Sequence, residues 1–218
     1  SRARVTKRHG EPSGRPSHIR AAVPSPDGKY AVVADCGMDR VYLYDAQNGG
    51  LVDEVRFPED SGPRQLVFSA DHRFLYLLTE ASCDLFCMKY LPQAQNKLRI
   101  IQRISTLRAD GYEGKNYGGG LHFHPSGRYL VSTNRGHNSL AVFAVEPATG
   151  HLALAGHHML AGDHCREFAF TEDGRILVAG LQHTDVVQSF YFNQKDGSVR
   201  ETGYALALPS PSAVVIAQ

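Results

Sequence analysis

Pro26-Asp27-Gly28-Lys29-Tyr30-Ala31-Val32-Val33-Ala34 reads as a tight turn running into an apolar strand, and Val41-Tyr42-Leu43-Tyr44 follows after a polar break. Asp-Gly supplies residues that tolerate positive φ, so the turn folds the chain back on the apolar residues before it as a hairpin. The same unit returns at Ala70-Asp71-His72-Arg73, Pro125-Ser126-Gly127-Arg128 and Glu172-Asp173-Gly174-Arg175. His72 is the odd member, because it lacks the freedom of glycine at that point.

Outward from each turn the pattern repeats. Strands follow at 30–34, 74–78, 129–132 and 176–179, third strands at 41–44, 85–90, 140–145 and 186–192, and weaker fourth strands at 52–57, 98–106, 152–160 and 199–206. β-Branched and aromatic residues dominate, and no segment sustains a helical period, so the class is all-β. The turn positions 28, 72, 127 and 174 lie 44, 55 and 47 residues apart. Four strands at that period describe a blade of a β-propeller. The chain divides into a loop at 1–15, repeats at about 16–61, 62–115, 116–162 and 163–208, and a closing strand at 209–218. Pro211-Ser212-Ala213-Val214-Val215-Ile216 repeats the opening strand of a unit but stops before its turn, while 1–15 offers no strand to complete it. The expectation is four blades of a larger propeller, lacking those upstream, with open edges that invite self-association. The longest interval carries a Gly-rich, charged loop at 108–117, a candidate lid.

Composition limits the function. In 218 residues, 23 Lys+Arg meet 22 Asp+Glu for a formal charge of +1, which gives no general field for nucleic acid. No apolar run approaches the ~18 residues that span a bilayer. The opening residues start with Ser1 and hold charge without an apolar h-region, so no signal peptide is read there, and the true start is expected upstream. Cys36, Cys83, Cys87 and Cys165 lack paired zinc spacing and read as buried free thiols, which favours a reducing, cytoplasmic compartment. His157, His158 and His164 also lack ligand spacing and read as surface residues, and the basic start reads as a solvated linker; neither a metal nor a cofactor motif is present.

The repeat also orders the candidate site. Eight residues before the turn position stand Arg20, Arg64, Gly119 and Arg166, and eight after it stand Cys36, Glu80, Arg135 and Gln182. These positions share one hairpin end, so four arginines and one glutamate converge on a rim suited to a small anionic ligand. His122, five before its turn, would point toward the neighbouring unit and add an acid–base group. Taken on their own, the same residues read more readily as ion pairs that link blades, since such networks imitate sites.

Gly62-Pro63-Arg64-Gln65-Leu66-Val67-Phe68, Thr79-Glu80, Leu121-His122-Phe123-His124-Pro125-Ser126-Gly127-Arg128, Asn134-Arg135-Gly136-His137-Asn138-Ser139-Leu140-Ala141-Val142-Phe143 and the segment 209–216 resemble the lactonase family of seven-bladed propellers. That family includes propeller-type 6-phosphogluconolactonases and 3-carboxy-cis,cis-muconate lactonizing enzymes. The resemblance covers about 8–216 and corresponds to roughly the four C-terminal blades. It implies a metal-independent site at the propeller mouth, with Arg64, Glu80, the pair Asn134-Arg135 and the inner-strand His122. Two positions depart from the pattern: Arg20 stands where a histidine is usual, with His18 two residues away, and Gly120 stands where Asp or Glu often precedes Leu121.

The resemblance implies hydrolysis of an anionic sugar lactone such as 6-phosphogluconolactone. Glu80 would orient or deprotonate water, Arg64 and Arg135 would stabilise the oxyanion, and His18 or His122 would assist proton transfer. Arg20, Arg166, Asn134 and Gln182 would bind substrate. A muconate cycloisomerase using the same cationic mouth is the second expectation, and a propeller that binds without turnover is the third.

Overall fold

Sixteen antiparallel strands build four sheets in a computed structural model that describes residues 16–107 and 112–216. The first sheet holds β1 (Ile19–Pro24), β2 (Tyr30–Asp35), β3 (Arg40–Asp45) and β4 (Leu51–Arg56), and the second holds β5 (Pro63–Phe68), β6 (Phe74–Thr79), β7 (Asp84–Tyr90) and β8 (Leu98–Ser105). The third holds β9 (Tyr117–Phe123), β10 (Tyr129–Arg135), β11 (Ser139–Val145) and β12 (Leu152–Met159), and the fourth β13 (Cys165–Phe170), β14 (Ile176–Leu181), β15 (Val186–Phe192) and β16 (Val199–Ala207). Each sheet pairs its strands in sequence order, as a propeller blade does, and no helix occurs among the described residues.

The β1–β2 turn shows how the sequence makes the hairpin. Ser25 Oγ accepts from Tyr30 N at 2.9 Å and donates to Asp27 Oδ1 at 2.6 Å, while Gly28 N donates to Ser25 O at 2.9 Å. Ser69 with Asp71, and Thr171 with Asp173, repeat the device. Gly28, Gly127 and Gly174 adopt φ of 69°, 70° and 68°, and His72 takes the same left-handed conformation at 63°. The sequence exception is thus accommodated, with the strain that a Cβ carries in that region.

Burial follows from stacking the blades face to face. Val32, Val41 and Leu43 of the first blade meet Leu66, Leu77, Phe86 and Met88 of the second. Tyr76, Leu78 and Leu85 pack on Leu130, Ala141 and Phe143 of the third, which in turn sets Val131, Leu140 and Val142 against Phe168, Leu177 and Phe190. β6, Phe-Leu-Tyr-Leu-Leu-Thr, is therefore buried along its whole length, because both of its faces are covered; its unbroken apolar run encodes this. Polar ties cross the same seams: Tyr76 Oη donates to Gly150 O at 2.8 Å, and Gln102 exchanges hydrogen bonds with the Leu152 backbone.

The expected closing strand does not form among the described residues: 211–216 carry no strand pairing. Pro211 and Val214 lie beside Gly180 of β14, an interior strand, so this segment packs on the fourth blade without a hairpin partner of its own. The loop at 1–15, positions 108–111 of the candidate lid and positions 217–218 fall outside the described residues.

His72 is exposed at its turn, so little but backbone strain responds to its replacement. His72→Gly is expected to raise stability by about 1 kcal/mol, the scale of the left-handed penalty for a non-glycine residue. An increased urea midpoint with an unchanged m-value is the corresponding measurement.

Candidate active site at an arginine rim

Every innermost strand has an irregularity at the rim. Pairing of β1 with β2 shifts between Ile19 and Ala21, β5 with β6 between Pro63 and Gln65, and β13 with β14 between Cys165 and Glu167. The extra residues are Arg20, Arg64 and Arg166. In β9 the bulge falls in the Gly118–Leu121 stretch opposite Ser132–Asn134. A bulge bends its strand and re-aims side chains, so each repeat turns its rim residue away from the regular pleat.

Glu80 collects these elements. Its Oε1 accepts from Arg135 Nη2 at 2.9 Å, and its Oε2 accepts from Arg64 Nη1 at 2.9 Å and lies 3.1 Å from Arg20 Nη2. One carboxylate thereby joins three blades. Its backbone is fixed as well, with Glu80 N donating to Gly62 O at 2.6 Å and Gly118 N donating to Glu80 O at 2.8 Å. Arg64 Nε donates to Gly119 O at 2.9 Å, and Arg135 Nη2 donates to Gly118 O at 2.6 Å. Gly119 has no room for a side chain, since a Cβ there would lie 2.2 Å from Thr133 Oγ1 and 2.7 Å from Cys165 O.

Four arginines around one carboxylate make this rim cationic, although burial and like charge work against the charge of each guanidinium. Arg64 and Arg135 are 7% and 5% exposed. Burial, followed by the charge of Arg135, lowers the Arg64 pKa, and Glu80 opposes that change. Burial works to raise the Glu80 carboxyl, but the Arg135 hydrogen bond and the charges of Arg64 and Arg135 hold it below the usual carboxylate value. Arg166 makes no ion pair among the described residues and adds its charge beside Arg64 and His164. His164 stacks on His183 with ring centroids 4.0 Å apart, and burial, then Arg135, push its pKa down to about 4. It therefore stands neutral in the rim at pH 7. Tyr117 places its ring under the Arg135 guanidinium, 5.8 Å from the centroid.

The counted positions Arg20, Arg64, Glu80 and Arg135 thus come together, and Arg166 adjoins them. Asn134 does not line the rim. It is 0% exposed, accepts from Thr106 Oγ1 and Asn116 Nδ2, and donates to Thr106 O and Ser139 Oγ, so it fixes the β10–β11 corner and has no donor left for substrate. Gln182 is also diverted, donating to Ser210 Oγ at 3.3 Å. The His18 side chain is exposed and makes no interaction with the rim among the described residues; its backbone N–H donates to Asp35 Oδ1. The three histidines expected at the surface are partly buried: His157 meets Thr106 O at 2.8 Å, His158 sits edge-on to Phe190, and His164 lies against Arg135.

His122 belongs to a separate group, one step along the strands. Its Nε2 lies 2.7 Å from Glu167 Oε1, and Gln65 Nε2 donates to Glu167 Oε2 at 2.9 Å. Glu167 and Gln65 escaped the repeat count, although each directly follows a rim arginine in the sequence. Gly120 is the space that Glu167 fills: a Cβ there would lie 2.5 Å from Glu167 Oε1. The acid missing before Leu121 is matched in place by a carboxylate from the next blade.

The comparisons agree with this architecture. The profile of the family described as lactonase, seven-bladed β-propeller, matches residues 3–216. The chain belongs to this lactonase family. It is 31% identical to a Bacillus subtilis protein named 6-phosphogluconolactonase, over 90% of this chain and 55% of the relative. A Formosa agariphila 6-phosphogluconolactonase is 26% identical, over 91% of the chain and 57% of the relative. The periplasmic gluconolactonase PpgL of Pseudomonas aeruginosa superposes with a TM-score of 0.84 at 35% identity, covering 90% of this chain and 56% of that one. This lactonase-family chain therefore spans about half the length of the relatives it matches, as four blades of seven would.

Glu80 makes the rim acid-sensitive. A carboxylate whose folded pKa is depressed stabilises the fold fully above its unfolded value, here near 4.5, and loses that contribution as pH falls through the folded value. Glu80→Gln is expected to lower stability by about 3 kcal/mol at pH 7, since it leaves buried guanidinium groups uncompensated. Urea unfolding between pH 7 and pH 3 should show a fall in the wild-type midpoint whose Glu80 share is absent in the variant.

Proposed function

We propose that the rim binds and hydrolyses an anionic sugar lactone, with 6-phosphogluconolactone the favoured substrate. The observation that carries this reading is the unbalanced charge: Arg20, Arg64, Arg135 and Arg166 gather around one carboxylate. A phosphorylated lactone presents two features that such a rim fits, a fixed anionic group and a carbonyl oxygen that becomes an oxyanion during attack. The names of the relatives support the lactone class.

The arginines have donors to spare. Each guanidinium carries five N–H groups, and Arg64 spends its Nε on Gly119 O and one Nη1 donor on Glu80. In the proposed complex Arg20 and Arg166 take the anionic group, while Arg64 and Arg135 face the carbonyl oxygen. Glu80 holds the arginines in register. Its oxygens are engaged by three guanidinium groups and its pKa is depressed, which suits an ionised anchor better than a proton acceptor. The free cysteines favour a reducing compartment such as the cytoplasm for this function.

Acid release from fresh 6-phosphogluconolactone, corrected for spontaneous hydrolysis, tests the reading. The expected result is turnover by the chain, with a loss of kcat/KM in Arg64→Met of about 100-fold or more, the scale of removing an oxyanion donor. No rate above background would overturn it, and conversion of a muconate in an ultraviolet absorbance assay would transfer the site to cycloisomerisation.

A further inference from the structure

A second carboxylate beside the rim has a different environment from Glu80. Glu167 of β13 reaches His122 on β9 and Gln65 on β5, so it too spans three blades, but no arginine among the described residues engages it. Its neighbours along the strands are the rim residues themselves: Arg166 precedes Glu167, Arg64 precedes Gln65, and Gly119, whose carbonyl accepts from Arg64, precedes Gly120. Gln65 and Glu167 each lie one residue beyond the cationic rim, and His122 lies three residues beyond the rim position Gly119 on β9.

Geometry fixes the roles within the pair. An ionised carboxylate can only accept, so the 2.7 Å contact puts a proton on His122 Nε2. Nδ1 has no protein partner among the described residues, and the imidazole is 43% exposed. Phe168 meets the ring edge-on with centroids 4.9 Å apart and limits its rotation. Burial alone would raise the Glu167 carboxyl, but the hydrogen bond and charge of His122, the Phe168 backbone N–H and Gln65 bring it below the ordinary value. Gln65 Oε1 is buried and has no donor among the described residues, so the amide's role in the group is the hydrogen bond its Nε2 gives to Glu167.

We propose that His122 is the general base of the lactonase site and that Glu167, braced by Gln65, is the positioning residue that holds its Nδ1 toward the channel. The proposal rests on the lactonase reading above. His122 Nδ1 takes a proton from water as the water oxygen bonds to the lactone carbonyl carbon, and the carbonyl electrons move to an oxyanion facing Arg64 and Arg135. Collapse breaks the bond from that carbon to the ring oxygen, which takes the proton back from Nδ1. Lactone and water become one hydroxy acid, with His122 restored.

Glu167→Gln keeps the size of the side chain and removes its charge. In the active chain it is expected to lower kcat at least about tenfold with little change in KM, and His122→Gln about 100-fold or more. Gly120→Ala provides a second variant: the added methyl displaces the end of the flexible Glu167 side chain, keeps every titratable group, and should reproduce the kcat loss. Nitrogen-detected NMR of the wild type should find the His122 proton on Nε2 at neutral pH. Absence of turnover in the wild type would overturn the lactonase reading and the base with it. Turnover in the wild type with an unchanged kcat in Glu167→Gln and Gly120→Ala, or a proton on Nδ1, would overturn this proposal alone.

Discussion

A single carboxylate allows three guanidinium groups to share one rim. Arg20, Arg64 and Arg135 come from three blades, and their mutual repulsion in a partly buried setting would drive those blades' rims apart. Glu80 reverses the sign of that interaction with one side chain, while Gly118 and Gly119 lend carbonyl oxygens to the remaining donors. Because four arginines gather at one glutamate, the offset is incomplete, and the residual charge is what the anionic substrate proposed above would meet. The contact that closes the rim therefore also leaves it able to bind.

The part of this architecture that depends on local chemistry was legible in the sequence. A turn closed by Ser25 and Asp27 needs only nearby residues, and a strand buried on both faces, such as β6, must be apolar throughout. Counting from the turns located the arginines and Glu80 because the blades repeat the same geometry. Counting failed where it gave a position without a side-chain direction. Asn134 adjoins Arg135, but successive strand residues face opposite ways, and Asn134 is turned into the corner that Thr106 and Ser139 close.

The same rule explains why Glu167 and Gln65 were passed over. Regular alternation sends the residue after a rim arginine to the other face of its sheet. The bulges at Arg64 and Arg166 set two residues against one on the paired strand, so consecutive side chains both serve the channel. A bulge is a property of pairing between strands, and a single strand's sequence does not announce it. The absence of an acid at Gly120 misled in a related way: the position is bare because Glu167 Oε1, coming from the next blade, occupies the volume a side chain would need.

In the proposed reaction the two carboxylates divide electrostatic from proton work through their surroundings. Glu80 accepts from guanidinium groups that cannot give up a proton near neutral pH, so its charge is fixed and its value lies in position. Glu167 faces an imidazole, the side chain whose ordinary titration lies nearest neutrality, and an amide that holds the carboxylate without adding charge. Placing the arginines one residue before Gln65 and Glu167 on β5 and β13 keeps the cationic surface and the titratable pair adjacent yet chemically distinct. A lactone lying across both would meet positive charge where an oxyanion develops and a basic nitrogen where water must lose a proton.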